Sequence, residues 1–246
     1  AIQVKRMSDN LVDVASSDSV GRFPDENIAA ALTRLPGVAV QRDQGQARYI
    51  QVRGAPNRWT SVSINGIPQT GTDEGGSGRA FRFDAVPAVL LEQLVVNKSL
   101  TPDITAEAVT ANVDLVTYSA LDRGGLNISG DIGYGFMDLG DGEQRQGSLR
   151  ASYGGDNWGI VLGGSHYKRE QITDNREYGY STGTDGQLAP RDYDVRNYLL
   201  DRTTNGLFGN FEYVLSDETR LYLTGIMTEF KDDEQRNAYE FVHIIN

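Results

Sequence analysis

The sequence predicts a small α+β domain followed by antiparallel strands of a membrane β-barrel. Three observations lead to this prediction. A short amphipathic helix pattern at residues 23–38 leads into extended runs, the composition changes after residue 119, and the residues beyond 125 alternate apolar with small or polar side chains. The chain has 246 residues, no cysteine and a formal net charge of −11. We therefore expect two parts, residues 1–119 and residues 120–246.

The segment FPDENIAAALTRLPGV, residues 23–38, organises the first part. Pro24 suits the first turn of a helix, and the carboxylates of Asp25 and Glu26 complement the positive end of the helix dipole. Apolar residues recur at helical spacing and form one stripe; they are Ile28, Leu32 and Leu35. Pro36-Gly37 ends the pattern, so the sequence predicts a short helix that feeds a strand.

Turn signals divide the rest of the first part into short elements. Residues 43–46 predict the turn of a hairpin, and Asn65-Gly66 supplies the positive φ values that a tight turn requires. The elements expected around these turns are strands at 38–41, 48–52 and 61–64, an exposed loop at 69–79, a short helix within 85–94, a buried strand at 94–96 and a last strand at 112–116.

Beyond residue 125 the chain follows the two-residue period of membrane strands, in which one face meets lipid and the other meets the lumen. Within each predicted strand, the apolar side chains occupy every second position. They are Leu126, Ile128, Ile132, Tyr134, Phe136, Leu149, Ala151, Tyr153, Trp158, Ile160, Leu162, Leu207, Phe211, Tyr213, Leu221, Leu223 and Met227. No run of about 18 apolar residues is present, so no membrane helix is predicted.

The expected connections alternate in length. Residues 138–144 and 169–202 are predicted outer connections, whereas 154–157 and 216–218 are predicted inner turns. Outer-membrane barrels have this order of long outer and short inner connections. A soluble β-sandwich is the alternative, but a sandwich has no reason to keep every second turn short.

Five motifs within residues 21–98 occur in a recognisable order. They are the segment at 23–38, IQVRG at 50–54, SVSINGIP at 61–68, RAFRFDAVP at 79–87 and EQLVVNK at 92–98. Together they resemble the plug of TonB-dependent outer-membrane receptors and transporters, most strongly a proteobacterial branch of oligosaccharide and siderophore type. The resemblance implies a plug domain at 1–119 and, at 120–246, the first strands of a barrel of about 22 strands.

An open membrane sheet leaves backbone groups unpaired in lipid. We therefore expect the remaining barrel strands to come from a longer chain or from a partner chain. The family's TonB box is not recognisable in residues 1–20. The segment at 108–113 keeps Asn112 but lacks the paired glycines that the family usually has before the first barrel strand.

The resemblance implies active import without bond chemistry. A scarce nutrient, a ferric chelate or an oligosaccharide, would bind at apical plug loops and extracellular loops, and TonB, acting with ExbB and ExbD, would move the plug from the periplasm. The implied surroundings are the lipid and lipopolysaccharide of a Gram-negative outer membrane. Two alternatives remain open: a ligand-sensing receptor that signals through an N-terminal extension, and a soluble periplasmic β-rich hydrolase.

Composition and motifs argue against several other classes. The acidic charge disfavours nucleic acid as a partner, because phosphate binding needs a basic surface. His166 and His243 are far apart and have no Glu at metal-ligand spacing, so we expect no metal and no cofactor. Gly75-Gly76-Ser77-Gly78 lacks the spacing of a catalytic serine loop, and no enzyme activity is expected.

The candidate ligand contacts combine charge with aromatic side chains in segments predicted to be loops, a composition that suits recognition surfaces. They are Arg58, Trp59, Asp73, Glu74 and Arg79 in the plug, and Asp174, Arg176, Tyr178 and Tyr180 in the long outer connection. From the family resemblance, Arg53 and Glu92 are expected to seat the plug against the barrel wall. The alternative for each is an ordinary solvated side chain or surface pair.

Overall fold

The computed structural model describes residues 2–8, 10–16, 27–71, 78–86 and 88–242, and the strands of these residues form three sheets. The elements are α1 (Ile2–Met7), α2 (Ile28–Leu32), β1 (Val12–Ser16), β2 (Val38–Asp43), β3 (Gln46–Val52), β4 (Thr60–Ile64), β5 (Ile67–Gln69), β6 (Leu91–Asn97), β7 (Ala111–Thr117), β8 (Gly125–Phe136), β9 (Glu143–Gly154), β10 (Trp158–Thr182), β11 (Leu188–Ser216) and β12 (Thr219–Phe241). One sheet has the order β1-β6-β7-β4-β5, β2 pairs with β3, and β8 to β12 form an antiparallel wall in chain order. The predicted fold class is confirmed.

Helix α2 begins later than the sequence predicts. Asn27 is its N-cap: the side-chain Oδ1 accepts from the amide of Ala30 at 3.1 Å, and Nδ2 donates to the carbonyl of Ala47 at 2.6 Å. Asn27 has extended φ and ψ, as an N-cap residue should. Pro24, Asp25 and Glu26, to which the sequence assigns the first turn, lie outside the described residues. The apolar stripe is confirmed, with Ile28 and Leu32 fully buried.

Both predicted turns are present. Gln44 and Gly45 join β2 to β3 with φ values of 46° and 81°, and Asn65 and Gly66 join β4 to β5 with φ values of 49° and 79°. Positive φ at two consecutive residues matches the right-handed twist of the flanking strands. The turn chemistry in the sequence therefore set the register of these hairpins.

The expected helix within 85–94 is replaced by two short 3-10 turns, Phe83–Ala85 and Ala88–Leu90. Strand β6 then begins at Leu91, earlier than the predicted strand at 94–96, and pairs with β1 on one side and β7 on the other. Backbone pairing on both edges explains the longer strand. Of the predicted loop at 69–79, residues 72–77 lie outside the described part.

The α+β domain is held together by apolar packing. Leu94, Val96, Val113 and Leu115 are fully buried on β6 and β7 and pack with Leu32, Val52 and Phe83. Burying each such side chain stabilises the fold by about 1.5–3 kcal/mol. The same cluster includes Val161 of β10 and Phe208 of β11, so the domain packs directly on the wall.

The two faces of the wall differ in burial. The face turned towards the α+β domain, called the inner face, includes Val161, Arg169 and Arg202, all at most 3 % exposed. Residues of the other parity form the outer face, where Leu126 is 69 % and Leu207 63 % exposed. A soluble sandwich would bury these leucines, so their exposure argues against that alternative. No helix in the described ranges is long and apolar enough to cross a membrane.

The prediction that residues 169–202 form a long connection is wrong. Strands β10 and β11 continue through it and are joined only by residues 183–187. At about 3.4 Å per residue, the 25 residues of β10 span about 85 Å, well beyond an apolar band about 25 Å tall. The part of the strand beyond the length of such a band has a polar sequence that resembles a loop. The other connections, 137–142, 155–157 and 217–218, lie close to their predicted positions.

Candidate functional site

Polar contacts tie the end of the α+β domain to the wall at the junction, where the chain passes from one to the other. Arg150 Nη1 donates to the carbonyl of Val89 at 3.2 Å, and its guanidinium lies 3.9 Å from the centre of the Tyr118 ring. The hydroxyl of Ser119 donates to Glu212 at 2.7 Å, and Arg220 reaches the same carboxylate at 2.8 Å. These contacts fix the point where the chain passes from domain to wall.

A second set of contacts holds the tip of the β2–β3 hairpin, residues 43–46, against the inner face. Gln171 Nε2 donates to the carbonyl of Gln44 at 3.0 Å, and Gln44 Nε2 donates to Glu234 at 2.6 Å. Arg202 donates to the side-chain oxygens of Gln44 and Gln46, to the latter at 3.2 Å. We call this set the hairpin latch, and it joins the domain to β10, β11 and β12.

The hairpin latch is built around a buried charge. Arg202 is 3 % exposed, and its Nε donates to Asp232 at 2.9 Å while Nη2 lies 3.8 Å from Asp43. Burying a guanidinium is expensive unless carboxylates and amide oxygens surround it. Polar contacts of this kind are specific in geometry, and water can replace them when the surfaces separate. The latch therefore holds the hairpin tip in one position on the inner face.

The network continues into the α+β domain. Arg48 pairs with Asp43 at 2.6 Å and with Asp84 at 3.4 Å, and Arg82 pairs with Asp84 at 3.0 Å. The Arg82 guanidinium also lies 4.6 Å from the centre of the Phe230 ring on β12. The hairpin tip is thus coupled to the domain's interior by the same kind of ion pair that couples it to the wall.

At the opposite edge of the domain, strand β1 is held by an ion-pair cluster. Asp13 is 6 % exposed and accepts from Lys5 at 2.5 Å and from Lys98, which also donates to the carbonyl of Pro36. Burial acts to raise the pKa of Asp13, but the hydrogen bonds from Lys5 and Lys98 outweigh it and hold the pKa below its usual value. The cluster stabilises the edge position of the N-terminal strand.

Beyond the hairpin tip, the inner face carries a polar cluster. Arg196 pairs with Glu177 at 2.5 Å and with Asp194 at 2.5 Å, and its Nη1 lies 3.4 Å from the hydroxyl of Tyr198. The Arg196 Nε is buried without a hydrogen-bond partner. This cluster shares the face of Arg202, further along β11 towards residues 183–187. Guanidinium, carboxylate and phenol side chains there suit a polar ligand.

The predicted plug residues that the structure describes lie at one end of the α+β domain. Arg58 and Trp59 are exposed in a 3-10 turn, Asn57–Trp59, that immediately precedes β4, and Asn57 donates to Gln41 of β2 at 3.0 Å. Arg79 is also exposed. Asp73 and Glu74 lie outside the described residues. Their proposed ligand contacts stay predictions.

The four predicted residues of the wall lie on strand β10 and not on a loop. Asp174, Arg176, Tyr178 and Tyr180 alternate with the inner-face residues and therefore project from the outer face. Tyr178 stacks on Tyr193 at 4.7 Å between ring centres. A ligand held above the α+β domain would meet their sequence neighbours instead, so the structure does not bring these four together with Arg58 and Trp59.

The two residues expected to seat the plug, Arg53 and Glu92, lie in different surroundings, and their role stays a prediction. Arg53 Nη1 donates to the carbonyl of Lys98 at 3.1 Å, within the α+β domain. Glu92 lies 3.5 Å from Arg123, in the segment that leads into β8, so it does contact the junction. Sequence reasoning missed Arg150, Arg202 and Glu212. An alternation count along β11 would have marked Arg202 as inner-facing, but only the register shows that Asp232 lies opposite it.

Within the described part of the chain, no group of three or more histidine, aspartate or glutamate side chains is arranged to hold a metal ion. The arrangement is one of hydrogen bonds and ion pairs between a domain and the wall beside it.

Residues 4–109 match the TonB-dependent receptor plug domain family. The vitamin B12 transporter BtuB of Photobacterium profundum is 27% identical over 153 residues, which are 61% of this chain and 24% of that protein. The chain therefore spans about a quarter of the length of this relative.

Two solved structures show the same fold. The ferric enterobactin receptor PfeA of Pseudomonas aeruginosa, a mutant with bound enterobactin, superposes with a TM-score of 0.63 at 16% identity, covering 90% of this chain and 33% of that chain. The ferric citrate transporter FecA superposes with a TM-score of 0.58 at 13% identity, covering 94% and 41%. Residues 4–109 thus match a TonB-dependent receptor plug domain, and the chain has the fold of the corresponding part of these receptors, a plug followed by strands of a barrel.

Proposed function

We propose that this protein imports a scarce nutrient across the Gram-negative outer membrane, with TonB as the partner that moves the plug. The named relatives carry vitamin B12, ferric enterobactin and ferric citrate, which supports a small ligand of the ferric chelate or corrinoid kind. An oligosaccharide is the other class that the sequence favours. The observation that carries the proposal is the hairpin latch, since it joins the plug to the wall through groups that can separate and pair again.

The ligand would bind on the outer side of the plug. We propose that Arg58, Trp59 and Arg79 of the plug contact it, together with Arg196 and Tyr198 of the inner face. The exposed indole offers a stacking surface, and the guanidinium groups recognise carboxylate or phenolate oxygens. Selectivity would follow from the ligand's different affinities for the latched and released plug.

TonB, supported by ExbB and ExbD, would act from the periplasmic side. The N-terminal strand β1 is the natural handle, because among the described strands it lies at the edge of its sheet and pairs with β6 alone. Force on this strand would first meet the Asp13–Lys98 pair and then the chain that leads to the hairpin, since Lys98 also holds the carbonyl of Pro36. No bond chemistry is proposed. We place the boundary between plug and barrel near residue 119, between β7 and β8.

A cross-linking experiment on the full-length protein tests this function, and residues 1–246 contain no cysteine that would compete with the introduced pair. Gln44 and Arg202 are changed to cysteine and joined by a bifunctional reagent in cells that depend on the protein for an iron chelate, corrinoid or glycan. We expect uptake to stop while ligand binding continues, because the plug can no longer leave the wall. A reducible linker should restore uptake when cleaved.

The matched control joins Asp174→Cys to Asn197→Cys. These positions are paired across β10 and β11, which are already fixed to each other, and Asn197 donates to Asp174 at 2.9 Å. Undiminished uptake with a plug cross-linked at the latch would overturn the proposal.

A further inference from the structure

The second half of strand β10 has an open edge. Strand β9 pairs with β10 as far as Arg169, which lies opposite Gln144, because the short connection at 137–142 begins β9 at this level. Strand β10 continues to Thr182 with β11 on its other side. Among the described strands, none pairs with residues 170–182 on the side of β9. About 40 Å of edge therefore presents the N–H and C=O groups of every second residue.

This edge is accessible and is not blocked by its own sequence. Residues 170–182 contain no proline, the residue that prevents a strand from being added. Side chains are exposed along it, with Tyr178 55 % and Tyr180 59 % exposed. The edge ends at the connection 183–187, and under the proposed function this end projects from the membrane into water.

Two opposite charges on the outer face have neutral neighbours on the paired side. Arg176 lies opposite Val195 of β11, and in the described part of the chain it forms neither a hydrogen bond nor an ion pair. Asp174 lies opposite Asn197, whose neutral amide donates to it at 2.9 Å. Cross-strand neighbours of opposite charge stabilise a sheet. For both side chains, the remaining position for such a neighbour is on the open side.

An aromatic ladder ends at the same edge. Tyr178, Tyr193 and Phe241 lie opposite one another on β10, β11 and β12. Tyr178 stacks on Tyr193 with 4.7 Å between ring centres, and Tyr193 stacks on Phe241 with 6.0 Å. Tyr178 is the ring on the open side, so an aromatic side chain on an added strand would continue the ladder.

We propose that residues 173–180 of β10 bind an extended segment of another protein outside the cell, as an added antiparallel strand. Antiparallel pairing continues the order of the wall and is the more stable kind. Main-chain hydrogen bonds would supply affinity, and alternate side chains would supply specificity.

The register defines the chemistry of the segment. From its N-terminus to its C-terminus, the outward side chains would be apolar opposite Tyr180, aromatic opposite Tyr178, acidic opposite Arg176 and basic opposite Asp174. A second copy in the same membrane does not fit, because its β10 would run parallel to this one. The inference rests on the proposed function only for placing this edge outside the membrane.

The test is fluorescence anisotropy of two labelled peptides, VTYTETK and VTYTKTE, with the full-length protein in detergent. The peptides have the same composition, but the second places its charges opposite like charges. We expect VTYTETK to bind at least about tenfold more tightly, because the exchange makes two attractive cross-strand pairs repulsive. The bound peptide should protect the amides of residues 173–180 from hydrogen exchange. Equal affinity, no binding by VTYTETK, or protection elsewhere would overturn the proposal.

A charge reversal in the protein sharpens the test. Asp174→Lys with Arg176→Glu should reverse the preference, so that VTYTKTE binds more tightly than VTYTETK. The matched control is Glu229→Lys with Lys231→Glu, which exchanges a pair 3.0 Å apart on the same face of β12 and should leave the preference unchanged. An unchanged preference in the first variant would contradict the proposed register.

The main-chain and aromatic contributions are tested separately. VTYTETK with N-methylated backbone amides should not bind, since it cannot donate to the edge, and binding by this peptide would overturn strand addition. Tyr178→Ala should weaken binding of VTYTETK several-fold, as expected for a lost aromatic pair.

Two further outcomes separate the partner and the proposals. Dimers of the wild-type protein that depend on Asp174 and Arg176 would assign the edge to a second copy and overturn the proposal. Because peptide binding is measured without transport, uptake without peptide binding overturns only strand addition, and peptide binding without uptake overturns only the import function.

Discussion

The interior of the plug and the hairpin latch are built from different interactions. Inside, Leu94, Val113 and Leu115 are fully buried among other apolar side chains. At the hairpin latch, by contrast, Arg202 is surrounded by amide oxygens and carboxylates. Apolar packing is lost entirely when surfaces separate, whereas polar groups regain hydrogen bonds from water. The contacts of the hairpin latch can therefore exchange with water, whereas the apolar cluster, which also includes Val161 and Phe208 of the wall, cannot.

The largest expected effect tests the apolar side of this comparison. Leu94→Ala removes a fully buried side chain from β6 and should destabilise the plug by about 2–5 kcal/mol. Hydrogen exchange of the full-length protein should show lost protection across β6 and β7. Leu207→Ala on the outer face is the control and should leave plug protection unchanged.

A smaller effect is expected from breaking the latch. Arg202→Ala should weaken attachment of the hairpin tip by about 1.5–3 kcal/mol, the range for hydrogen bonds to a charged group. Exchange protection should fall at residues 43–46 while β6 and β7 keep theirs. Equal loss in both regions would show that interior and interface form one cooperative unit, which would refute the contrast. Arg176→Ala, an outer-face arginine, serves as the matched control.

The attachment of β1 through the Asp13 cluster should depend on pH, whereas the apolar interior should not. The folded plug holds the pKa of Asp13 below its usual value of 3.8, so the stabilisation is complete above that pH and is lost as the pH falls through the lower folded value. We expect acid to release β1 from β6 before the interior opens. Exchange measured from neutral pH to below pH 4 would show this order, and Asp13→Asn should remove the pH-dependent step. Simultaneous exposure of β1 and β7 in the wild type would contradict it.

The smallest expected effect is at the turn between β4 and β5, which lies outside both the apolar interior and the hairpin latch. Gly66 has a φ of +79°, so Gly66→Ala should cost about 1 kcal/mol and act locally on β4 and β5. Asn65→Gly, at the neighbouring position with positive φ, should be close to neutral. Thermal unfolding of both variants would check this difference.

Much of the fold follows from local sequence. Asn65-Gly66 and Gln44-Gly45 need positive φ, so their turns and the flanking strands were predictable from steric rules alone. The apolar alternation from Leu126 onward likewise predicted the wall, since a lipid-facing side chain must be apolar wherever it lies in the chain. The family motifs identified the plug.

The tertiary structure alone decided the rest. In the polar stretch at 169–202, the backbone N–H and C=O groups are hydrogen-bonded because β10 pairs with β11. No local signal in the sequence distinguishes such a strand from a loop. A shift of one residue exchanges the faces of a strand, which is why Asp174 and Arg176 project outward while Arg169 and Gln171 face the plug. Arg202 meets Gln44 across more than 150 positions because the inner face of the wall packs against the plug. Composition determined which residues are suited to a membrane and a core; strand register and the packing of the plug on the wall determined which of them meet.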